Sequence, residues 1–471
     1  MTVAPQGGQN PAYSLASLIH KRVPPLRNPF RFCWHFSMVG MYPAQNQVDT
    51  EIGDDRKFCI FVPDYKIQST AMKSIKDIYK IGVGPSSSHT MGPQKAAAIF
   101  NERYPHAAAF EVTLYGSLAA TGKGHMTDWA ILKTLQAPTE IVWEPDIILP
   151  FHPNGMCFKA FDKDKTLLGE WTVYSIGGGN LAEEGKLSEQ PDIYPLSKMT
   201  EILNWCEQRG RTYWEYVYEY ENQKEIEETM KEVWQVMKDA VERGLQAEGA
   251  LPGPLNLSRK AAMYHIKASG YTHTLRSRGL VYSYALAVSE ENASGGRVVT
   301  APTCGSCGVM PAVLYHLSKS YEFSDLRIIR ALVTAGLVGN IVRTNASISG
   351  AEVGCQGEVG VACAMAAAAA NQLFGGSPAQ IEYAAEMALE HHLGMTCDPV
   401  CGLVQIPCIE RNAYAAARAL DSNIYSTFSD GRHRVSFDKV VETLKETGKD
   451  IPSLYKETSQ GGLARDYEQM E

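Results

Sequence analysis

The chain has 471 residues, a formal net charge of −8 and a mean hydropathy of −0.20, a size that supports two or three domains and at least one large core. With 45% apolar and 20% charged residues it has the composition of a globular protein, and its negative charge argues against nucleic acid or an anionic membrane as the main partner. No apolar run reaches the ~20 residues that span a bilayer, the Ala-rich stretch 359–370 included.

The first 71 residues stand apart. Up to position 48 there are four Lys or Arg residues and no acidic one, with Pro5, Pro11, Pro24, Pro25, Pro29 and Pro43 scattered through. They show no apolar h-region of secretory type, and arginine and serine are too sparse for a transit peptide. Residues 1–71 read as a disordered extension or the product of a misplaced start codon, with Met72 opening the patterned chain.

From Met72 the pattern alternates. Residues 76–81 and 93–104 carry helical periodicity on either side of the loop Gly82-Val83-Gly84-Pro85-Ser86-Ser87-Ser88-His89-Thr90. Residues 110–115 predict a strand, 128–135 a helix, and 140–143, 156–161 and 171–176 further strands. This mixture predicts an α+β domain over 72–190. Residues 197–209 and 216–248 predict two polar amphipathic helices in a helical linker region, 191–257, with the charged run 225–228 as a solvated face. From 258 to 471 the chain is rich in Ala, Gly and Met with little strand signal, which predicts an all-α domain of closely packed helices.

Seven of the 11 cysteines (Cys304, Cys307, Cys355, Cys363, Cys397, Cys401 and Cys408) fall between positions 304 and 408. Such a cluster points to a reducing compartment, the cytoplasm, and to metal or thiolate chemistry rather than a disulfide scaffold. Cys355 precedes a helix predicted over 359–373, and Ser377-Pro378 caps the next, which runs to about position 392. Cys397 follows the break at Gly394, and Cys408 enters a helix predicted over 410–420. Loops and helix starts favour the thiolate. The spacings, 42 and 11 residues, fit no zinc module. Three thiolates without a fourth suit a [4Fe–4S] cluster that keeps one iron open as a Lewis acid. Cys401 remains an alternative fourth ligand. Cys304-Gly305-Ser306-Cys307 reads either as a redox or metal motif or as close packing before the apolar helix 309–317, and Cys363 as a small core residue.

The strings I-G-V-G-P-S-S-S-H-T-M-G-P (81–93), T-G-K-G-H-M-T-D (121–128), H-P-N-G-M (152–156), S-G-A-E-V-G-C-Q-G-E-V-G (349–360), C-D-P-V-C-G (397–402), Q-I-P-C-I-E-R-N-A (405–413), E-T-G-K-D-I (446–451) and T-S-Q-G-G-L-A (458–464) together resemble the iron–sulfur L-serine dehydratase family. The resemblance covers essentially all of 72–471. It implies an α+β domain joined to a helical cluster domain, a homodimer, a [4Fe–4S] cluster on Cys355, Cys397 and Cys408, and conversion of L-serine to pyruvate and ammonia. Two departures stand out. Many relatives carry Asn at position 304 and Ala at 401, and some end in a cysteine-bearing tail that reaches the cluster, whereas this chain ends Tyr-Glu-Gln-Met-Glu.

Dehydrating serine requires a base for the α-proton and help for hydroxide as a leaving group. An open iron meets the second need, and a histidine the first. His125 and His152 match positions that the family implicates in catalysis, with His125 expected as base and His152 as its supporting partner. The loop Ser86, Ser87, Ser88, His89, Thr90 is expected to bind the amino-acid headgroup through hydroxyls and N–H groups, while His391 and His392 read as structural. The same chemistry on L-threonine or L-cysteine stays open, since one methyl is worth only ~1–3 kcal/mol. S-I-G-G-G-N-L (175–181) looks like the phosphate loop of pyridoxal-phosphate enzymes, but no lysine lies in the matching strand-to-helix context. A non-catalytic amino-acid-sensing module with a structural cluster would not need the loop histidines. The site is expected to be composite, with the first domain's histidines facing the cluster side of the second.

Overall fold

The structure, a computed structural model, describes residues 72–185 and 191–468, so the extension read over 1–71 lies outside the described residues. An N-terminal α+β region precedes a helical C-terminal one, the fold class that the patterning predicts.

The strands are β1 Ile81–Val83, β2 Ala109–Tyr115, β3 Thr139–Glu144, β4 Gly155–Phe161, β5 Leu167–Ser175, β6 Leu181–Ala182 and β7 Arg297–Val299. Between them lie helices α1 Gly92–Arg103, α2 Gly116–Ala120 and α3 Thr127–Thr134. The main sheet has five strands in the order β3-β2-β4-β5-β6. β2 runs parallel to β3, with Val112 opposite Ile141, and antiparallel to β4, with Val112 opposite Phe158. Phe100 of α1 packs with Phe110, Phe158 and Trp171 in the core of this sheet.

The helical region continues with α4 Met199–Arg209, α5 Tyr213–Tyr220, α6 Gln223–Gln246, α7 Ala261–Ser269, α8 His273–Ala293, α9 Val309–Tyr321, α10 Asp325–Asn345, α11 Gly350–Val353, α12 Val361–Leu373, α13 Pro378–Glu390, α14 Cys408–Thr427, α15 Phe437–Asp450 and α16 Gly462–Glu468. The Ala-rich α12 lies against α9, α10, α13 and α14, and its residues 361–371 are all buried. Short side chains on every face of one helix let four others approach it closely. Ser377 and Gln380 form the capping box that starts α13.

Two predicted elements are corrected. The helix expected over 76–81 is one 3-10 turn, Ile75–Ile78, followed by β1, which pairs with the distant β7. The single helix expected over 216–248 is two, α5 and α6, broken at Glu221 and Asn222. Glu221 leaves the helical path to accept the Ile75 N–H at 3.0 Å, the Ser74 hydroxyl at 2.6 Å and the Tyr194 hydroxyl. Asn222 then caps α6 by accepting the Glu225 N–H at 3.2 Å.

Candidate active site

The cysteine loops are set by backbone chemistry. Before Cys355 the chain turns at Gly354 with φ +73, where a Cβ would meet the Met395 carbonyl oxygen at 2.6 Å, so only glycine makes this turn. Cys397 is held on both sides by the C-terminal segment: its N–H donates to Tyr455 O, and its carbonyl accepts the Glu457 N–H, each at 2.8 Å. Cys408 is the first residue of α14, directly after Pro407. All three are buried and line one cavity together with Ser86, His125, Glu358 and Glu457.

Arg411, one turn into α14, donates to Thr396 O at 2.8 Å and to Asp398 Oδ1 at 3.3 Å, and its charge acts on all three thiols. A hydrogen bond from Cys397, aided by Arg411, holds the Cys355 thiol down to about 6 against the cost of burial. The same hydrogen bond and burial raise Cys397, and burial raises Cys408. Glu358 Oε2 lies 3.9 Å from both Cys355 Sγ and Cys397 Sγ, and burial pushes its carboxyl well above the usual range. Buried thiols converging beside a guanidinium, two of them reluctant to ionise unless a cation arrives, suit an iron–sulfur group.

The other cysteines behave differently. Cys363 donates to Ala415 O at 3.3 Å inside the core, as its Ala-rich setting predicts. Cys304 and Cys307 are buried ahead of α9, with the Cys304 Sγ 3.5 Å from Met91 Sδ and both thiols raised by burial. Cys401 lines a second cleft of about 580 Å³ with Thr458, Ser459 and Arg465.

His125 sits in the turn between α2 and α3. At Gly124, next to it, a Cβ would meet the Gly402 carbonyl oxygen at 2.3 Å, and this close approach sets the histidine loop against the cysteine loop. The hydroxyl of Thr121 donates to Ser117 O at 3.1 Å and therefore accepts from His125 Nδ1–H at 2.8 Å. That leaves the His125 Nε2 lone pair pointing toward Glu457 Oε1, 3.9 Å away. Burial, then the neighbouring His89, hold the conjugate acid of His125 well below the ordinary histidine range.

His89 is anchored in the same manner. Ser117 donates its hydroxyl proton to Glu457 O at 2.8 Å and so accepts from His89 Nε2–H at 3.1 Å. Ser88 then donates to His89 Nδ1 at 2.8 Å, and burial lowers this histidine to about 4. Of the Ser86–Thr90 loop, Ser86 lines the thiol cavity, while Thr90 donates to the His125 carbonyl at 2.7 Å and Ser86 Oγ accepts the His89 N–H at 3.1 Å.

His152 faces elsewhere. Its Nδ1 accepts the Asn154 N–H at 3.0 Å, which puts the proton on Nε2, 3.4 Å from Glu352 Oε1 of α11. Burial works against the Glu352 carboxylate, but His152 and Ser347 hold it below its usual range. His391 and His392 return their Nδ1 atoms to the Met387 and Ala388 carbonyls, a structural role.

Sequence reasoning missed Glu457, whose Oε1 is 3.4 Å from His89 Nδ1 and whose Oε2 is buried without a hydrogen-bond partner. Burial, then Cys355, push it up to about 8. It stands one position ahead of the string 458–464, so no local signal singled it out. Glu358, Arg411 and Thr121 lie inside the quoted strings and were legible as members of them, without a role.

Comparison with known proteins shows the family. The family model for the serine dehydratase alpha chain matches residues 126–464, and that for the beta chain matches 74–140. The protein named L-serine dehydratase TdcG of Escherichia coli (strain K12) is 42% identical over 450 aligned residues, covering 83% of this chain and 99% of that one. An L-serine dehydratase of Haemophilus influenzae is 41% identical, covering 83% and 99%, and one of Helicobacter pylori 38% identical, covering 83% and 98%.

Proposed function

The chain belongs to the serine dehydratase family, and from that premise we propose that it is an L-serine ammonia-lyase, converting L-serine to pyruvate and ammonia with a [4Fe–4S] cluster. The observation that carries this reading is the single cavity in which Cys355, Cys397 and Cys408 meet His125.

Cys355, Cys397 and Cys408 would hold the [4Fe–4S] cluster, and the chemistry it would supply when bound is that of a Lewis acid for a substrate oxygen. The chain itself supplies the base. The Cα–H of an amino acid is weakly acidic, so its acceptor must be unprotonated and aimed in advance. His125 meets both demands: burial keeps it unprotonated, and the Thr121 hydroxyl, committed to the Ser117 carbonyl, turns its Nε2 lone pair into the cavity. The Ser86–Thr90 loop contributes Ser86 to the wall facing the substrate headgroup and spends Ser88 and Thr90 on holding the histidines. His152 supports the site indirectly, tying its loop to Glu352 in the helix that leads into Cys355. The enamine released by dehydration needs no further residue, because it tautomerises and hydrolyses in water.

No helix among the described residues is long and apolar enough to cross a membrane. We place the enzyme in the cytoplasm as a homodimer, in keeping with free cysteines and an oxygen-sensitive group. Anaerobic purification is expected to yield equimolar iron and sulfide, a visible absorption shoulder lost in air, and pyruvate formed from L-serine. A preparation carrying the cluster but inert toward L-serine, or with a higher kcat/KM on L-threonine or L-cysteine, would overturn the substrate assignment.

A further inference from the structure

Glu457 is a carboxylic acid on the wall of the thiol cavity that neither the cysteine set nor the base accounts for. Its side chain is only 7% exposed, and its Oε2 has no hydrogen-bond partner. Among the described residues no lysine or arginine is paired with it; only the neutral imidazoles of His89 and His125 approach its other oxygen, at 3.4 and 3.9 Å. A buried carboxylate without a cation is costly unless a ligand provides one.

The position of Glu457 is also enforced. Its N–H is bound to Cys397 O and its carbonyl to the Ser117 hydroxyl, each at 2.8 Å, so the segment carrying it is stitched to the cysteine loop and to α2, just ahead of His125, at once. Glu358, the other buried acid of the cavity, lies within 3.9 Å of two cysteine sulfurs and so occupies the thiol side. Glu457 occupies the histidine side, beside the Nε2 that takes the α-proton. In an α-amino acid the ammonium is bonded to the very carbon that loses that proton.

We propose that Glu457 binds the α-ammonium of the substrate and so selects α-amino acids over hydroxy acids. This rests on the amino-acid lyase reading, though not on L-serine itself, because L-threonine carries the same ammonium. The test compares Glu457→Gln and Glu457→Asp in the cluster-loaded enzyme, using L-serine turnover and inhibition by 3-hydroxypropanoate, which is serine without its amino group.

The Gln variant is expected to keep its iron, sulfide and visible absorption. Its KM for L-serine should rise about 30-fold or more, the scale for breaking a buried charge pair, with kcat changed far less. Its Ki for 3-hydroxypropanoate should stay at the wild-type value, and the Asp variant should recover part of the KM. A fall in kcat at constant KM would instead make Glu457 a positioning or proton-transfer residue, and a parallel rise in KM and Ki would mean general damage to the pocket. Loss of iron from both variants would assign the residue to the cluster. Each of these results overturns the proposal. Wild-type enzyme inert on every amino acid tried would fail the lyase reading instead, and the two failures are separate.

Discussion

The Thr121 hydroxyl spends its proton on the Ser117 carbonyl at 3.1 Å, and that choice selects the tautomer of His125. Two substitutions separate the base from its alignment. His125→Ala is expected to keep iron content and visible absorption while lowering kcat by ~10²–10⁴, the usual share of a general base. Thr121→Val keeps the imidazole but leaves a buried Nδ1–H unpaired, at a cost of ~1–3 kcal/mol that the ring can relieve by changing tautomer. Its kcat should fall by a smaller factor than that of His125→Ala. A His125→Ala enzyme that loses its cluster, or turns over at the wild-type rate, would show the division of labour to be wrong. At this scale the sequence was informative where a residue sat in a distinctive string, as His125 and Cys355 do. It was mute on Glu457 and on the pairing of His152 with Glu352, because those contacts join segments hundreds of positions apart and leave no mark on their neighbours.

Hydrophobic periodicity made most of the elements legible. Strands β2, β3, β4 and β5 and helices α1, α3, α4, α12 and α13 lie within a few residues of the patterned segments, whereas the two-residue β6 carried no strand signal. Periodicity failed where a tertiary demand overrode it. The amphipathic pattern runs straight through Glu221, yet the chain breaks there because that carboxylate is needed by Ile75, Ser74 and Tyr194. β1 and β7 are three-residue strands that exist only as each other's partner, with Ile81 opposite Val299. Close packing between helices can be tested at Gly244 of α6, where a Cβ would fall 2.2 Å from the Ala287 carbonyl oxygen of α8. Exposed in a lone helix, Gly→Ala would gain ~1 kcal/mol of propensity. Here the obstacle is backbone that cannot swing aside, so Gly244→Ala is expected to be destabilising by ~1–3 kcal/mol, read as a lower denaturant midpoint at unchanged m. A rise in midpoint would mean that α6 and α8 are free to separate.

For the whole molecule, the composite site expected from the sequence depends on a long-range closure that no single segment encodes. The C-terminal stretch pairs Lys456 with Cys397, receives the Ser117 hydroxyl on Glu457 O, and ties Ser459 to Pro399 O at 2.6 Å and Leu463 N–H to Asp398 Oδ2 at 2.9 Å. The beginning of the described chain is anchored just as firmly. Met72 is fully buried, its carbonyl accepts the Ile193 N–H at 2.8 Å, and Ile75 and Ile78 complete the helical core against α10. These contacts locate where the chain can be shortened. A protein expressed from Met72 retains every one of them and is expected to match the full chain in iron content and in L-serine turnover. A protein expressed from Tyr79 lacks three fully buried side chains, each of which costs ~2–5 kcal/mol when removed from a packed core, a loss comparable to the whole stability of a domain. It should be insoluble or unfolded at the temperature where the longer chain is active. Soluble yield, circular dichroism and iron analysis of the two truncations decide the matter: if the Met72 chain also precipitates, residues 1–71 belong to the fold, and if the Tyr79 chain folds and binds iron, the buried Met72–Ile78 segment contributes nothing essential to the core.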